Sequence, residues 1–233
     1  MPKQRTPKTT TKATGIGVSR PISEAELEAL EQFFRSRGVK PRIEVCPHAQ
    51  EPLHRLLRAR GYRLDSFVNT HLREVFSSDA DELLPADRHI TRVTRANLDV
   101  FADTISRGFS EGAAPDPAFL DLPRASALAQ GVTCYLAFAD DKPAGAGGVA
   151  ITQSDPAFPH HYRPLAALFG ASTLPQFRRR GVQTALLSAR LAQAAAAGCD
   201  LAVIHSRPGT PSERNIARAG FQLAYTKAVM SLD

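Results

Sequence analysis

Tryptophan is absent from the 233 residues, aromatic side chains make up only 7%, and there are just three cysteines, Cys46, Cys134 and Cys199, far apart in the chain. Each shortage excludes something. Nucleic acids are held on basic surfaces interleaved with aromatic stacking platforms, so a chain this poor in aromatics is not expected to bind them, despite a net charge of +6 and a pI near 9.5. Cysteines without Cys-x-x-Cys or Cys/His spacing supply neither a disulfide framework nor a zinc site, and read as reduced thiols of a cytoplasmic protein. The seven histidines show no ligand spacing, so no metal is expected. No run approaches the ~18 apolar residues of a membrane span. The basic N terminus has no apolar segment after it, which excludes a secretory signal.

What is present is an ordinary globular composition, 43% hydrophobic and 22% charged, sufficient for one large domain or one and a half. The positive excess is concentrated in a Lys/Thr-rich stretch at 3–12 and in Arg178-Arg179-Arg180. Such clustering points to a compact polyanionic ligand. Residues 1–20 read as a disordered basic tail.

Hydrophobic periodicity and turn residues predict a helix over 24–37, a strand over 39–46, a helix over 51–60 and a strand over 66–75, followed by a linker over 77–88. A second series follows: strand 89–94, helices 98–109 and 119–128, strands 132–139 and 144–151 joined by Asp140-Asp141-Lys142-Pro143, and strand 165–174. Helix 182–197, strand 201–205, helix 213–219 and strand 221–230 end it. Shifting the chain by 159 residues places Val45 on Ile204, Pro52 on Pro211, Arg55 on Arg214, Gly61 on Gly220, Tyr62 on Phe221 and Leu64 on Leu223. The N-terminal unit, 21–76, therefore reads as a second copy of the final third of the chain. Convergence of two similar strand-helix-strand units is the alternative.

Residues 165–187 combine a strand, an arginine-rich turn and an alanine- and leucine-rich helix. A helix starting straight after a strand leaves its first N–H groups unpaired at the positive end of its dipole, and Gly181 lets the backbone come close to a bulky anion. Pro175-Gln176-Phe177-Arg178-Arg179-Arg180-Gly181-Val182-Gln183 resembles the acetyl-CoA pyrophosphate motif of the GNAT acetyltransferases. Ser212-x-x-Asn215-x-x-Arg218-x-Gly220-Phe221 resembles the family's second motif, with Asn215 lying 34 residues beyond Gly181. The resemblance covers residues 89–231.

That resemblance implies an α/β (α+β) GNAT domain over 89–233, preceded by the smaller α/β unit. Its mixed central sheet is splayed between the fourth and fifth strands, with helices on both faces. It also implies pyrophosphate contacts from the N–H groups of Arg179, Arg180, Gly181, Val182, Gln183 and Thr184, with Arg178 lending charge. Ala171, Ser172 and Thr173 would bond the pantetheine, and Asn215 would bond the cofactor further along. Two positions depart from the pattern: Gln183 stands where the family has Gly or Ala, and no tyrosine lies between Asn215 and Gly220.

The expected activity is transfer of an acetyl group from acetyl-CoA to a primary amine of a small molecule or peptide, by direct attack in a ternary complex. His205, at the end of the fifth strand, is the first candidate base. Glu111 comes second, as a base or as a holder of the amine. Tyr225 substitutes for the missing acid. The acceptor would meet the loop 108–117 and the segment 152–164. A homodimer is compatible with this reading, and a membrane partner is not. The competing class is a non-catalytic acyl-CoA-binding or sensor module of the same fold.

Overall fold

A computed structural model describes residues 12–81, 89–115, 117, 120–152 and 164–233. Along the chain the elements are α1 (Glu24–Arg35), β1 (Arg42–Val45), α2 (Glu51–Ala59), β2 (Arg63–Glu74), β3 (His89–Arg92), α3 (Leu98–Phe109) and α4 (Asp121–Leu128). Then come β4 (Val132–Ala139), β5 (Lys142–Ile151), β6 (Leu165–Thr173), α5 (Val182–Ala196), β7 (Leu201–Ser206), α6 (Pro211–Arg218) and β8 (Gln222–Ser231). Two units result, one from residues up to Thr70 with Ser206–Pro208 and Leu223–Asp233, the other from His71–His205 with Gly209–Gln222.

In the first unit Ser23 starts α1 through a capping box with Glu26, which satisfies N–H groups at the helix start. Leu27 of α1 and Leu53 and Leu57 of α2 are buried with Ile43, Val45 and Tyr62. β1 pairs antiparallel with β8, from Arg42↔Ser231 to Val45↔Ala228. The chain from Lys12 onward, within the stretch expected to be a disordered tail, is placed against this unit. Ala13 bridges Ile43, and Lys12 and Lys227 both pair with the buried carboxylate of Glu44. Burial alone would raise the Glu44 pKa, but the two ammonium groups hold it below the usual carboxylate range. Residues 1–11 lie outside the described residues. Moved by 159 residues, β1, α2 and β2 fall on β7, α6 and β8.

The second unit is built on a mixed sheet in the order β7-β6-β5-β4-β3, parallel only at β6–β7. β5 starts at Lys142, two residues earlier than expected, because Asp140 and Asp141 both take left-handed φ (51° and 56°) and close a two-residue hairpin by themselves. Side chains alternate across each strand, so two helices can cover opposite faces. Phe101 and Ile105 of α3 pack on Cys134, Leu136 and Ala146. On the other face, Leu187, Leu191 and Ala194 of α5 pack on Val149, Ala166, Leu168, Ala202 and Ile204.

All three cysteines are free thiols, Cys134 and Cys199 buried and Cys46 half-buried. Burial pushes the Cys134 thiol up to about 11. In the native protein iodoacetamide is therefore expected to alkylate Cys46 first, as read by peptide mass. Equal labelling of Cys134 would contradict this burial.

Candidate active site

β6 and β7 pair over only four rungs, Leu165↔Leu201 to Leu168↔Ile204. Past that point both strands continue, to Thr173 and Ser206, without pairing to each other. These are the fourth and fifth strands counted from β3, where the resemblance puts the splay. A bulge in β6 accompanies the separation. The register runs Ala146↔Ser172 and then Gly148↔Phe169, so Gly170 and Ala171 stand against Gly147 alone. Gly170 has φ +60°, and a Cβ there would meet Ile105 Cδ1 at 3.1 Å. Phe169 also packs toward α3, so two successive residues face one side.

After β6 the chain makes a short 3-10 turn, Pro175–Phe177, and enters the arginine turn. Arg179 and Gly181 both adopt left-handed φ (61° and 73°), and Gly181 caps α5 with no side-chain bond. The first helical bond is Ala185 N–H to Gly181 O, so the N–H groups of Val182, Gln183 and Thr184 have no intrahelical acceptor. This forms a cluster of outward donors at the positive end of a 15-residue helix.

The three arginines differ in how they are held. Arg178 Nη1 donates to Glu111 Oε2 at 2.7 Å. Arg180 makes a two-pronged pair with Asp140, both contacts at 2.8 Å. Among the described residues Arg179 has no carboxylate partner and is exposed, so it is the cation free to meet an anion.

Glu111 and the arginine turn, 67 residues apart in sequence, are thus brought together. The Arg178 guanidinium holds the Glu111 carboxyl below the usual range, which makes it a poor proton acceptor and a ready anchor for a cation. Ser172 turns away from the splay, its hydroxyl donating to Ile105 O at 3.1 Å. Thr173 Oγ1 is buried with no partner among the described residues. Ala171 and Gln183 are half-buried, and His205 is exposed one residue beyond the last rung. On α6, Asn215 Oδ1 accepts from Arg218 Nη1 at 3.2 Å. Tyr225 belongs to the first unit, where it packs edge-on to His48 with centroids 5.5 Å apart. The acceptor segment expected at 152–164 lies almost wholly outside the described residues. Among those described, no group of three or more His, Cys, Asp or Glu could hold a metal ion, and no helix is long and apolar enough to cross a membrane.

Two residues escaped the sequence reading. His71 of β2, only 3% exposed, has Nε2 3.7 Å from Glu213 Oε1. Glu213 in turn accepts from the Gly209 N–H at 2.7 Å at the start of α6, where Thr210 caps the helix. Burial lowers the His71 pKa, against the pull of Glu213. An unfolded histidine takes up its proton near pH 6.5 while folded His71 resists, so stability is present above about pH 6.5 and falls as pH drops below it. Urea melts between pH 7.5 and 5.5 should show this slope, and His71→Gln should flatten it. The second missed residue is Arg190, on the apolar face of α5 and fully buried. Its signal was its place in the helical stripe with Leu186, Leu187 and Ala194.

The family model described as Acetyltransferase (GNAT) family matches residues 98–221. No curated protein matches the chain. Among solved structures it is similar to a GCN5-related N-acetyltransferase from Kribbella flavida, at 18% identity and a TM-score of 0.56, over 93% of this chain and 78% of that one. A tandem GNAT protein from the clavulanic acid biosynthesis pathway is similar at 15% identity and a TM-score of 0.60, over 89% and 68% of the two chains. A third, a GCN5-related N-acetyltransferase from Sphaerobacter thermophilus, matches at 12% identity and a TM-score of 0.58, over 89% and 66%. At such identities the similarity is one of fold.

Proposed function

Because the chain belongs to the GNAT acetyltransferase family, we propose that it moves the acetyl group of acetyl-CoA onto a primary amine of a small molecule or peptide by direct attack in a ternary complex. The observation that carries this reading is the open start of α5 beside the end of β6 that has parted from β7. The N–H groups of Val182, Gln183 and Thr184 with the Arg179 guanidinium suit a pyrophosphate. Thr173 Oγ1 and the free edge of β6 past Leu168 suit the amides of a pantetheine arm lying in the splay.

The amine nitrogen attacks the thioester carbonyl carbon, forming the C–N bond while the carbonyl π pair moves to oxygen. N–H groups of β6 that no longer pair with β7 receive that oxyanion. Collapse restores the carbonyl and breaks the C–S bond, the sulfur leaving as thiolate. His205 takes the proton released from nitrogen, and the thiolate takes one from solvent. Net, amine and acetyl-CoA become amide and CoA. Glu111 holds the incoming ammonium once a phosphate draws Arg178 away, and the ammonium gives one proton to solvent before the neutral amine attacks. The N-terminal unit, over 21–76, is a partial second copy of the 89–233 domain; the coincident element bounds and the likeness to a tandem protein support this.

Glu111→Gln removes the carboxylate that competes for Arg178, so CoA should bind about threefold tighter, the gain shrinking as salt is raised. Calorimetric titrations at two ionic strengths check it, and weaker binding would reverse the assignment. The activity itself is tested by thiol release over a panel of amines. CoA binding without release from any amine would leave only an acyl-CoA sensor.

A further inference from the structure

Arg190 heads the fully buried side chains, with 0% exposure at the middle of α5. Its Nε donates to Leu186 O at 2.8 Å, while Nη1 and Nη2 are buried with no partner among the described residues. Burial lowers its pKa to about 10, so it stays protonated at neutral pH. The titratable neighbour that acts on its charge is Cys134, a neutral thiol. No described carboxylate pairs with it. Ion burial without a counter-charge is costly, and a methionine would fill the same space at no such cost.

The sheet is shaped to admit this cation. A Cβ on Gly147 would lie 3.4 Å from Arg190 Cζ and 3.3 Å from Ala171 Cβ. The guanidinium carbon therefore comes up against Gly147, beside the one bulge in β6. Ala171 is three residues past the last β6–β7 rung, in the part of the strand that borders the splay. Fixed charge in an apolar interior acts over a longer range than in water.

We propose that Arg190 is a positioning residue for acyl transfer, a buried cation that acts through the Ala171 segment of the bulge to stabilise the oxyanion and the departing CoA thiolate. This rests on the acetyl-transfer reading above. It assigns the arginine a role in the rate and none in holding the cofactor or the fold.

Arg190→Met, Arg190→Lys and the natural chain separate these possibilities. Methionine should keep the thermal midpoint at or above the natural value and the CoA Kd within about twofold, while kcat falls about tenfold to a hundredfold with little change in KM. Lysine should restore most of the rate. A methionine variant with unchanged kcat overturns the proposal, and so does a loss of kcat matched by losses of midpoint and CoA affinity. Should methionine prevent folding, glutamine and lysine variants are compared, and equal rates for the two overturn it. Titration of the bound CoA thiol by ultraviolet absorbance needs no turnover. Its pKa should rise by about one unit in Arg190→Met relative to the natural chain, and an equal pKa in both again overturns the proposal. If the natural chain binds CoA but transfers nothing, the acetyl-transfer reading fails while the thiol titration still decides Arg190. Absence of CoA binding sinks both.

Discussion

Gly181→Glu is expected to raise the Kd for CoA by about a hundredfold or more. Gly181 caps α5 with φ +73°, a left-handed backbone that strains most L side chains. A glutamate there also brings a negative charge to the helix end where the N–H groups of Val182, Gln183 and Thr184 wait for an anion. Charge and conformation can be separated, since asparagine tolerates left-handed backbone and carries no charge. Gly181→Asn should cost severalfold at most. Arg179→Gln, which removes the cation without a carboxylate partner, should cost about tenfold. Calorimetry gives all three values, and an unchanged Kd in Gly181→Glu would remove the anion site from this turn.

Gly108→Ala should destabilise the second unit by about 2 to 3 kcal/mol. A Cβ at Gly108 would sit 2.4 Å from Ser172 Oγ and 2.5 Å from Ser172 Cβ. That hydroxyl is buried and bonded to Ile105 O, so Ser172 cannot move aside without leaving a polar group unpaired. α3 would have to back away from β6 and open the core at Phe101 and Ile105. Urea unfolding measures the loss. Adding Ser172→Gly removes the clashing atoms and should recover more than half of it; no recovery would mean that glycine at 108 serves another purpose.

Much of this arrangement is legible in the chain. α3 and β4 occupy the spans that periodicity gives, 98–109 and 132–139, because their apolar spacing is regular and Gly131 and the Asp140-Asp141 pair bound the strand. α6 begins at Pro211, two residues before the expected 213, since Thr210 caps it and proline suits a first turn. β2 begins at Arg63 rather than 66, where exposed residues hide the strand pattern. The anion turn is legible because strand, glycine and helix are contiguous. Contacts that close over long sequence distances are not. Nothing local in Glu111 or Asp140 says that each holds an arginine of the turn, 67 and 40 residues away, leaving Arg179 without a carboxylate partner among the described residues. Nor does local sequence place the bulge, which arises from the register of β6 against the glycines of β5. Residues 12–20 look like tail by composition, yet Lys12 is held by a carboxylate that only the fold buries.

The arginine turn has a defined geometry: among the described residues one of its cations has no carboxylate partner and two are tethered, and an open helix start lies beside a splayed strand pair. The measurement that tests it most directly follows acetyl-CoA and an amine panel together, by mass for the acetylated amine and by thiol titration for released CoA. The account predicts at least one amine for which amide and thiol appear in equal amounts, with both lost in Gly181→Glu. Thiol released without any acetylated amine, or equal transfer by the Gly181→Glu chain, would contradict it.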